Sequence, residues 1–249
     1  MGELRVVVAG GSVSLFVVPR DGRDDRTYGE LLPGLLAADG YNVDVRHTGQ
    51  WFDLVQDLRR RYEPAVRNHF PDVLVLNYGM GEAQPNVVPT WAARHFQSWD
   101  RSSHPLAMSY REHLAPRAWS TLRRLQSRTS HWPTYRLSPE RYAAELRRVI
   151  TMARDETGCL VLLLDLDPPG PRWEHWVPGM TQRRDQFQAV QDALVAELAD
   201  PDVRSVRVAH HVAEHGFDVL LPDAIHRSAL GHRLTAEALA EEVRAWAAR

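Results

Sequence analysis

The run Val73-Leu74-Val75-Leu76, introduced by Pro71 and Asp72, constrains this chain more than any other segment. It has the length of a strand and is apolar at every position. A strand with one wet face alternates apolar and polar residues, so a continuous run is expected to be buried on both faces, in the middle of a parallel sheet. Parallel neighbours need long crossovers, usually helical. The sequence supplies them. Strands are predicted at Leu4 to Ala9, Asn42 to Arg46, Val73 to Leu76, Leu160 to Leu164 and Val203 to Val208. Helices are predicted from Tyr28 to Ala38 and from Trp51 to His69, with Pro64 a kink or stop. Three more are predicted from a Ser138 cap to Asp155, from a Thr181 cap to Ala199, and from Ala229 to Ala247. This order implies an α/β fold, a three-layer αβα sandwich around a mostly parallel five-stranded sheet. With 249 residues, one domain spanning 1–249 is expected, carrying an insertion at 84–137 where the alternation lapses.

Ligands of such folds bind beyond the carboxyl ends of the strands. The first strand ends in Gly10-Gly11-Ser12-Val13-Ser14, which reads either as a turn with a capping serine or as a hydroxyl presented for chemistry. A dinucleotide fingerprint would need a third glycine, which Val13 to Val17 does not supply. Near the other end stands Asp223-Ala224-Ile225-His226. An aspartate three residues before a histidine can hold imidazole Nδ1 while Nε2 faces a nucleophile. Alternatively, Asp223 caps a turn and His226 packs against it.

Composition removes several chemistries. Every basic residue is arginine, so Schiff-base chemistry and a lysine-dependent phosphate loop are excluded. The single cysteine, Cys159, lies in an apolar run and is expected to be a buried, inert thiol. A net charge of -2 gives no global attraction to nucleic acid or an anionic membrane. No stretch approaches the roughly 20 apolar residues of a membrane-spanning helix. The first five residues lead straight into Val6-Val7-Val8 with no room for a signal peptide, so a cytoplasmic location is expected. No metal and no cofactor are expected. His210 and His211 are adjacent and on a strand would point opposite ways, and His232 is expected to pack or bond at the start of the last helix.

These segments, in this order, resemble the SGNH/GDSL hydrolases. Gly10-Gly11-Ser12 resembles the first block of that family, with Gly11 where the commonest form has Asp. Asp223-Ala224-Ile225-His226, followed by Gly231-His232 and Ala236-Glu237-Ala238-Leu239, resembles the last, and Thr48-Gly49 resembles the glycine block. The likeness covers most of the chain outside the insertion. It implies an SGNH/flavodoxin-like fold with Ser12 as nucleophile, His226 as base and Asp223 as its orienter. It also implies an oxyanion hole that includes the backbone N–H groups of Ser12 and Gly49. The expected activity is cleavage of a small-molecule carboxylic ester, O-acetyl or short acyl, through an acyl-enzyme on Ser12.

The third block departs from the pattern. The family usually has Gly-x-Asn-Asp, whose Asn side chain donates to the oxyanion, whereas the matching run is Gly79-Met80-Gly81-Glu82. Losing one such donor costs on the order of 100- to 1000-fold in turnover. Asn77 or Asn86, a backbone N–H near Gly81, or reduced or altered activity are the competing explanations, a backbone or substitute donor being preferred, and Asn77 is also a candidate for substrate contact. Glu82 reads either as a group positioning arginine or substrate, or as a solvated loop carboxylate tying down the strand end. The insertion gathers Trp91, Trp99, Trp119 and Trp132 among many arginines. It reads as a lid that places Trp91 against substrate, as a surface subdomain with its own small core, or as a docking surface. Two other functions use the same pattern: an O-acyltransferase with the same triad, and a catalytically degenerate binding protein on this fold.

Overall fold

The structure, a computed structural model, describes residues 2–15, 26–50, 53–85 and 136–249. Its strands are β1 (Glu3–Gly10), β2 (Asn42–His47), β3 (Val73–Asn77), β4 (Leu160–Leu164) and β5 (Val203–Val206). They form one sheet in the order β2-β1-β3-β4-β5, with every pairing parallel. The mostly parallel five-stranded sheet expected from the sequence is therefore present. β3 and β4 are buried at every position, as their continuous apolar runs require.

Alternate residues of each strand serve two cores. Val7, Ala9, Leu74, Leu76, Val161 and Leu163 pack on one side with α3 (Val55–Arg60), α6 (Pro139–Thr157) and α8 (Met180–Leu198). Val6, Val8, Val73, Val75, Leu160 and Leu162 pack on the other with α2 (Tyr28–Ala37) and α10 (Ala229–Ala247). The remaining helices among the described residues are short: α1 (Ser12–Leu15), α4 (Tyr62–Ala65), α5 (Met80–Ala83), α7 (Pro171–Trp176) and α9 (His210–His215).

Most helix ends follow local chemistry. Thr27 and Glu30 close a capping box on α2, Ser138 caps α6 with Pro139 at its first position, and Gly158 ends α6 in the left-handed region. Three expectations are corrected. The helix predicted from Trp51 to His69 is broken into α3, α4 and a 3-10 turn at Arg67–His69. Pro64 explains the break, because its ring crowds the carbonyl four residues back, at Arg60, where α3 ends. Thr181 does not cap α8, which starts at Met180. The Glu174 carboxylate accepts instead from the N–H groups of Gly179 (2.6 Å) and Thr181 (2.8 Å). β5 stops at Val206, because the N–H groups of Val208 and Ala209 donate to Asp165 Oδ1 at 2.7 and 3.0 Å rather than extending the ladder. His210 and His211 consequently open a helix instead of lying on a strand.

The strand order reverses at β1, which lies between β2 and β3. The crevice beyond the carboxyl ends of β1 and β3 is the topological switch point where such sheets bind ligands.

Candidate active site

β1 ends at Gly10, where the crowded backbone leaves no room for a side chain. A Cβ on Gly10 would lie 2.7 Å from Ser14 Oγ and 2.8 Å from the Asn77 carbonyl. Chain reversal at Gly11 then places Ser12 as the first residue of α1, half-buried at the switch point. From the far end of the sequence, His226 approaches it. His226 Nε2 is 2.9 Å from Ser12 Oγ, and His226 Nδ1 is 2.6 Å from Asp223 Oδ2. The structure thus brings Ser12, Asp223 and His226 into one hydrogen-bonded line.

The loop carrying His226 and Asp223 is fixed by its own backbone. Asp223 Oδ1 accepts from the N–H groups of Ile225 (3.1 Å) and His226 (3.0 Å), leaving Oδ2 for the imidazole. This double use requires Ala224 at φ 63°, a left-handed conformation seldom adopted by a residue with a side chain. Its carbonyl accepts from Gly170 N–H at 3.0 Å, and Arg172 Nη1 donates to the Pro222 carbonyl at 2.9 Å. Next to His226, the buried Arg227 is paired with Asp167 Oδ2 at 2.8 Å, tying the loop to the end of β4. Burial by itself would raise the Asp223 carboxyl. The bonds from the His226 ring and from the backbone N–H groups of His226 and Ile225 outweigh it and hold that carboxyl below its ordinary value, hence ionised.

Gly49, after β2, packs on the backbone leading to the nucleophile: a Cβ there would lie 2.3 Å from the Gly10 carbonyl oxygen. Among the described residues its N–H donates to no backbone carbonyl, whereas those of Thr48 and Gln50 donate to Val8 and Gly10. Arg61 holds this segment by donating to the Thr48 carbonyl at 2.6 Å while pairing with Asp53, which also accepts from Tyr78 Oη at 2.7 Å. Gly81 lies in the first turn of α5, where helix N–H groups lack internal partners. The Cβ positions of Gly11 and Gly81 border the same Asp53 carbonyl, at 3.4 and 3.7 Å, so Gly81 lies beside the turn that carries Ser12.

Asn77 and Glu82, the two candidates for substrate contact among the described residues, are buried and hydrogen-bonded within the protein. The amide of Asn77 donates to Tyr28 Oη at 3.3 Å within the α2 layer, which commits one of its two N–H groups there. Glu82 is fully buried, its Oε1 accepting from Val55 N–H (2.8 Å) and its Oε2 from Gly79 N–H (2.7 Å). It ties the start of α3 to the end of β3, as one reading expected, but inside the protein rather than in solvent. Trp91, Asn86 and nearly all of the 84–137 insertion lie outside the described residues. His232 is wholly buried and its Nδ1 accepts from Tyr28 N–H at 3.2 Å, a packing role at the start of α10. Arg61, Asp53, Arg227 and Asp167 carried no sequence signal, because each acts on a backbone or charge remote in the chain.

Glu82 makes stability depend on pH. Burial pushes its carboxyl up to about 7, against the pull of the Val55 and Gly79 N–H groups, from an ordinary value of 4.5. The folded pKa is raised, so its stabilising contribution is complete below about pH 4.5 and is lost as pH rises to about 7. At 1.36 kcal/mol per unit the loss is about 3 kcal/mol. A Glu82→Gln variant, which does not titrate there, is expected to lack this slope. Urea unfolding of both proteins from pH 4.5 to 7.5 checks it, and parallel curves would count against the assignment.

No protein-family model matches the chain, and no curated protein sequence matches it. Solved structures do match. A lipase/acylhydrolase from Enterococcus faecalis, 14% identical, superposes with a TM-score of 0.64 over 98% of this chain and 96% of that one. An acetylxylan esterase from Geobacillus stearothermophilus, 17% identical, superposes with a TM-score of 0.61 over 97% of this chain and 95% of that one. A mutant of an acetyl-xylooligosaccharide esterase from the same genus, 18% identical, gives 0.63 over 97% and 95%. At these identities the likeness is one of fold: the chain has the α/β fold of this lipase/acylhydrolase and of these esterases.

Proposed function

We propose that this chain is a serine esterase that cleaves a carboxylic ester through an acyl-enzyme on Ser12. The observation that carries the reading is the single imidazole of His226 bonded to both Ser12 Oγ and Asp223. An alcohol becomes a competent nucleophile at neutral pH when such a base takes its proton as it attacks. In the proposed reaction Ser12 Oγ adds to the ester carbonyl and its proton passes to His226 Nε2. Asp223 stabilises the imidazolium from the other side. The resulting oxyanion is held by backbone N–H groups of Ser12, Gly49 and Gly81, which act without reorganising. Collapse breaks the bond to the alcohol, which leaves with the proton from Nε2. Water, deprotonated by the same nitrogen, then attacks the acyl-enzyme, and the acid is released with Ser12 restored.

The fold neighbours support this reading. Structures of the Geobacillus acetylxylan esterase include variants called catalytic mutants in which a serine, an aspartate or a histidine is replaced by alanine, the last two being three positions apart. Ser12, Asp223 and His226 are the same residue types, with the same three-residue spacing. Acetyl esters, including those of carbohydrates, are accordingly the first substrates to try.

A panel of p-nitrophenyl esters of increasing acyl length tests the proposal. Turnover is expected to be highest with acetate and to fall with chain length. Rates no higher than those of a Ser12→Ala variant with every ester would contradict it.

A further inference from the structure

We propose that His210, His211 and Glu214, on α9, form a binding site for a divalent transition-metal ion of the Zn2+ type. One ligand atom from each of the three lies within 4.8 Å of the others. The Glu214 carboxylate is their common point: Oε2 is 3.6 Å from His211 Nδ1 and 4.0 Å from His210 Nε2. Bonds of about 2.0–2.1 Å in tetrahedral geometry set ligand atoms roughly 3.4 Å apart. The first separation is therefore already near that of a bound ion, and the second closes by a small rotation of His210, whose side chain is half-exposed.

The helix makes this geometry available. His210 and Glu214 are four residues apart, and His211 and Glu214 three apart, so all three share one flank of α9. The two imidazoles lie side by side at the first turn, ring centroids 4.0 Å apart and planes tilted by 45°. On a strand they would point to opposite faces.

A second observation points independently to a ligand. Both ring nitrogens of His211 are buried and have no hydrogen-bond partner among the described residues. The Glu214 oxygen at 3.6 Å is too far for a hydrogen bond. Buried polar atoms are nearly always satisfied, and a pair of orphans on one imidazole calls for an explanation. A metal bond to one of these nitrogens supplies part of it. Imidazole and carboxylate together suit Zn2+ and its neighbours rather than Ca2+ or Mg2+, which take oxygen ligands. With three protein ligands the ion keeps an open position, which His215, its Nε2 4.0 Å from Glu214 Oε2, or water can fill.

The test is calorimetric titration of the untagged protein with Zn2+, in wild type and in the His210→Ala, Glu214→Ala and His226→Ala variants. The first two changes are at exposed positions and leave the fold in place, which circular dichroism checks. The site predicts saturable binding of one ion per chain in wild type and in His226→Ala, and affinity at least ~10-fold lower in His210→Ala and in Glu214→Ala. Co2+ added in place of Zn2+ is expected to give a visible absorption band that the same two variants lose. No saturable binding in wild type, undiminished binding in those variants, or loss of binding in His226→Ala, which would assign the ion to the triad histidine, overturns the proposal.

Discussion

Alanine in place of Ser12 or of His226 is expected to lower the kcat for p-nitrophenyl acetate roughly a million-fold in each case, and the double substitution to lower it no further. The physical reason is that Ser12 Oγ and His226 Nε2, 2.9 Å apart, act as one unit. A hydroxyl without its base keeps its proton, and an imidazole without its hydroxyl has no nucleophile to activate. Asp223→Ala is expected to cost less, roughly ten-thousand-fold. The imidazole then loses the partner at Nδ1 that fixes its tautomer and supports its charge, but keeps Nε2 beside the serine. Steady-state kinetics on the three single variants and the double variant check this ordering. Losses that multiply in the Ser12/His226 double variant would mean that the two side chains act independently.

The largest expected gain is at Gly81. Sequence likeness matches this position to an oxyanion-donating asparagine, and among the described residues the two nearest candidates are otherwise engaged: Asn77 bonds Tyr28, and Glu82 offers only acceptor oxygens when ionised, already bonded to Val55 and Gly79. There is room for a side chain. A Cβ at Gly81 would lie 3.6 Å from Leu54 Cδ2 and 3.7 Å from the Asp53 carbonyl, ordinary contact distances, and Gly81 is not among the residues with positive φ. Since one oxyanion donor is worth on the order of 100- to 1000-fold in the transition state, Gly81→Asn is expected to raise kcat at least ~10-fold with KM little changed. A kcat that stays level or falls would mean that backbone groups already complete the hole, or that the side chain occupies substrate space.

The sheet was legible in the sequence wherever apolar runs set it. β3 and β4 are buried on both faces, as short continuous apolar runs between turn signals are when they form strands. Features that depend on remote partners were not legible. Pro64 had signalled the break near Arg61, but the early end of β5 needed Asp165 to capture the Val208 and Ala209 N–H groups. The same distinction runs through the site. Asp223 and His226 are close in sequence, so their spacing offered a bonded pair as one of two readings, and the likeness to a known family favoured it. Arg227 with Asp167, and Arg61 with Thr48 and Asp53, are held together only by the finished fold. Glu82 shows why the environment decides a role. Its position after a strand suited either a solvated or a substrate-facing carboxylate, and burial with two backbone donors made it an internal brace.

The central claim is that Ser12 is a nucleophile activated by His226, and covalent capture tests it most directly. Folded wild-type protein treated with a fluorophosphonate is expected to gain one adduct per chain, mapped by mass spectrometry to Ser12, and the His226→Ala variant to label far more slowly. Folded wild-type protein that gains no adduct, or gains it at another residue, would contradict the account.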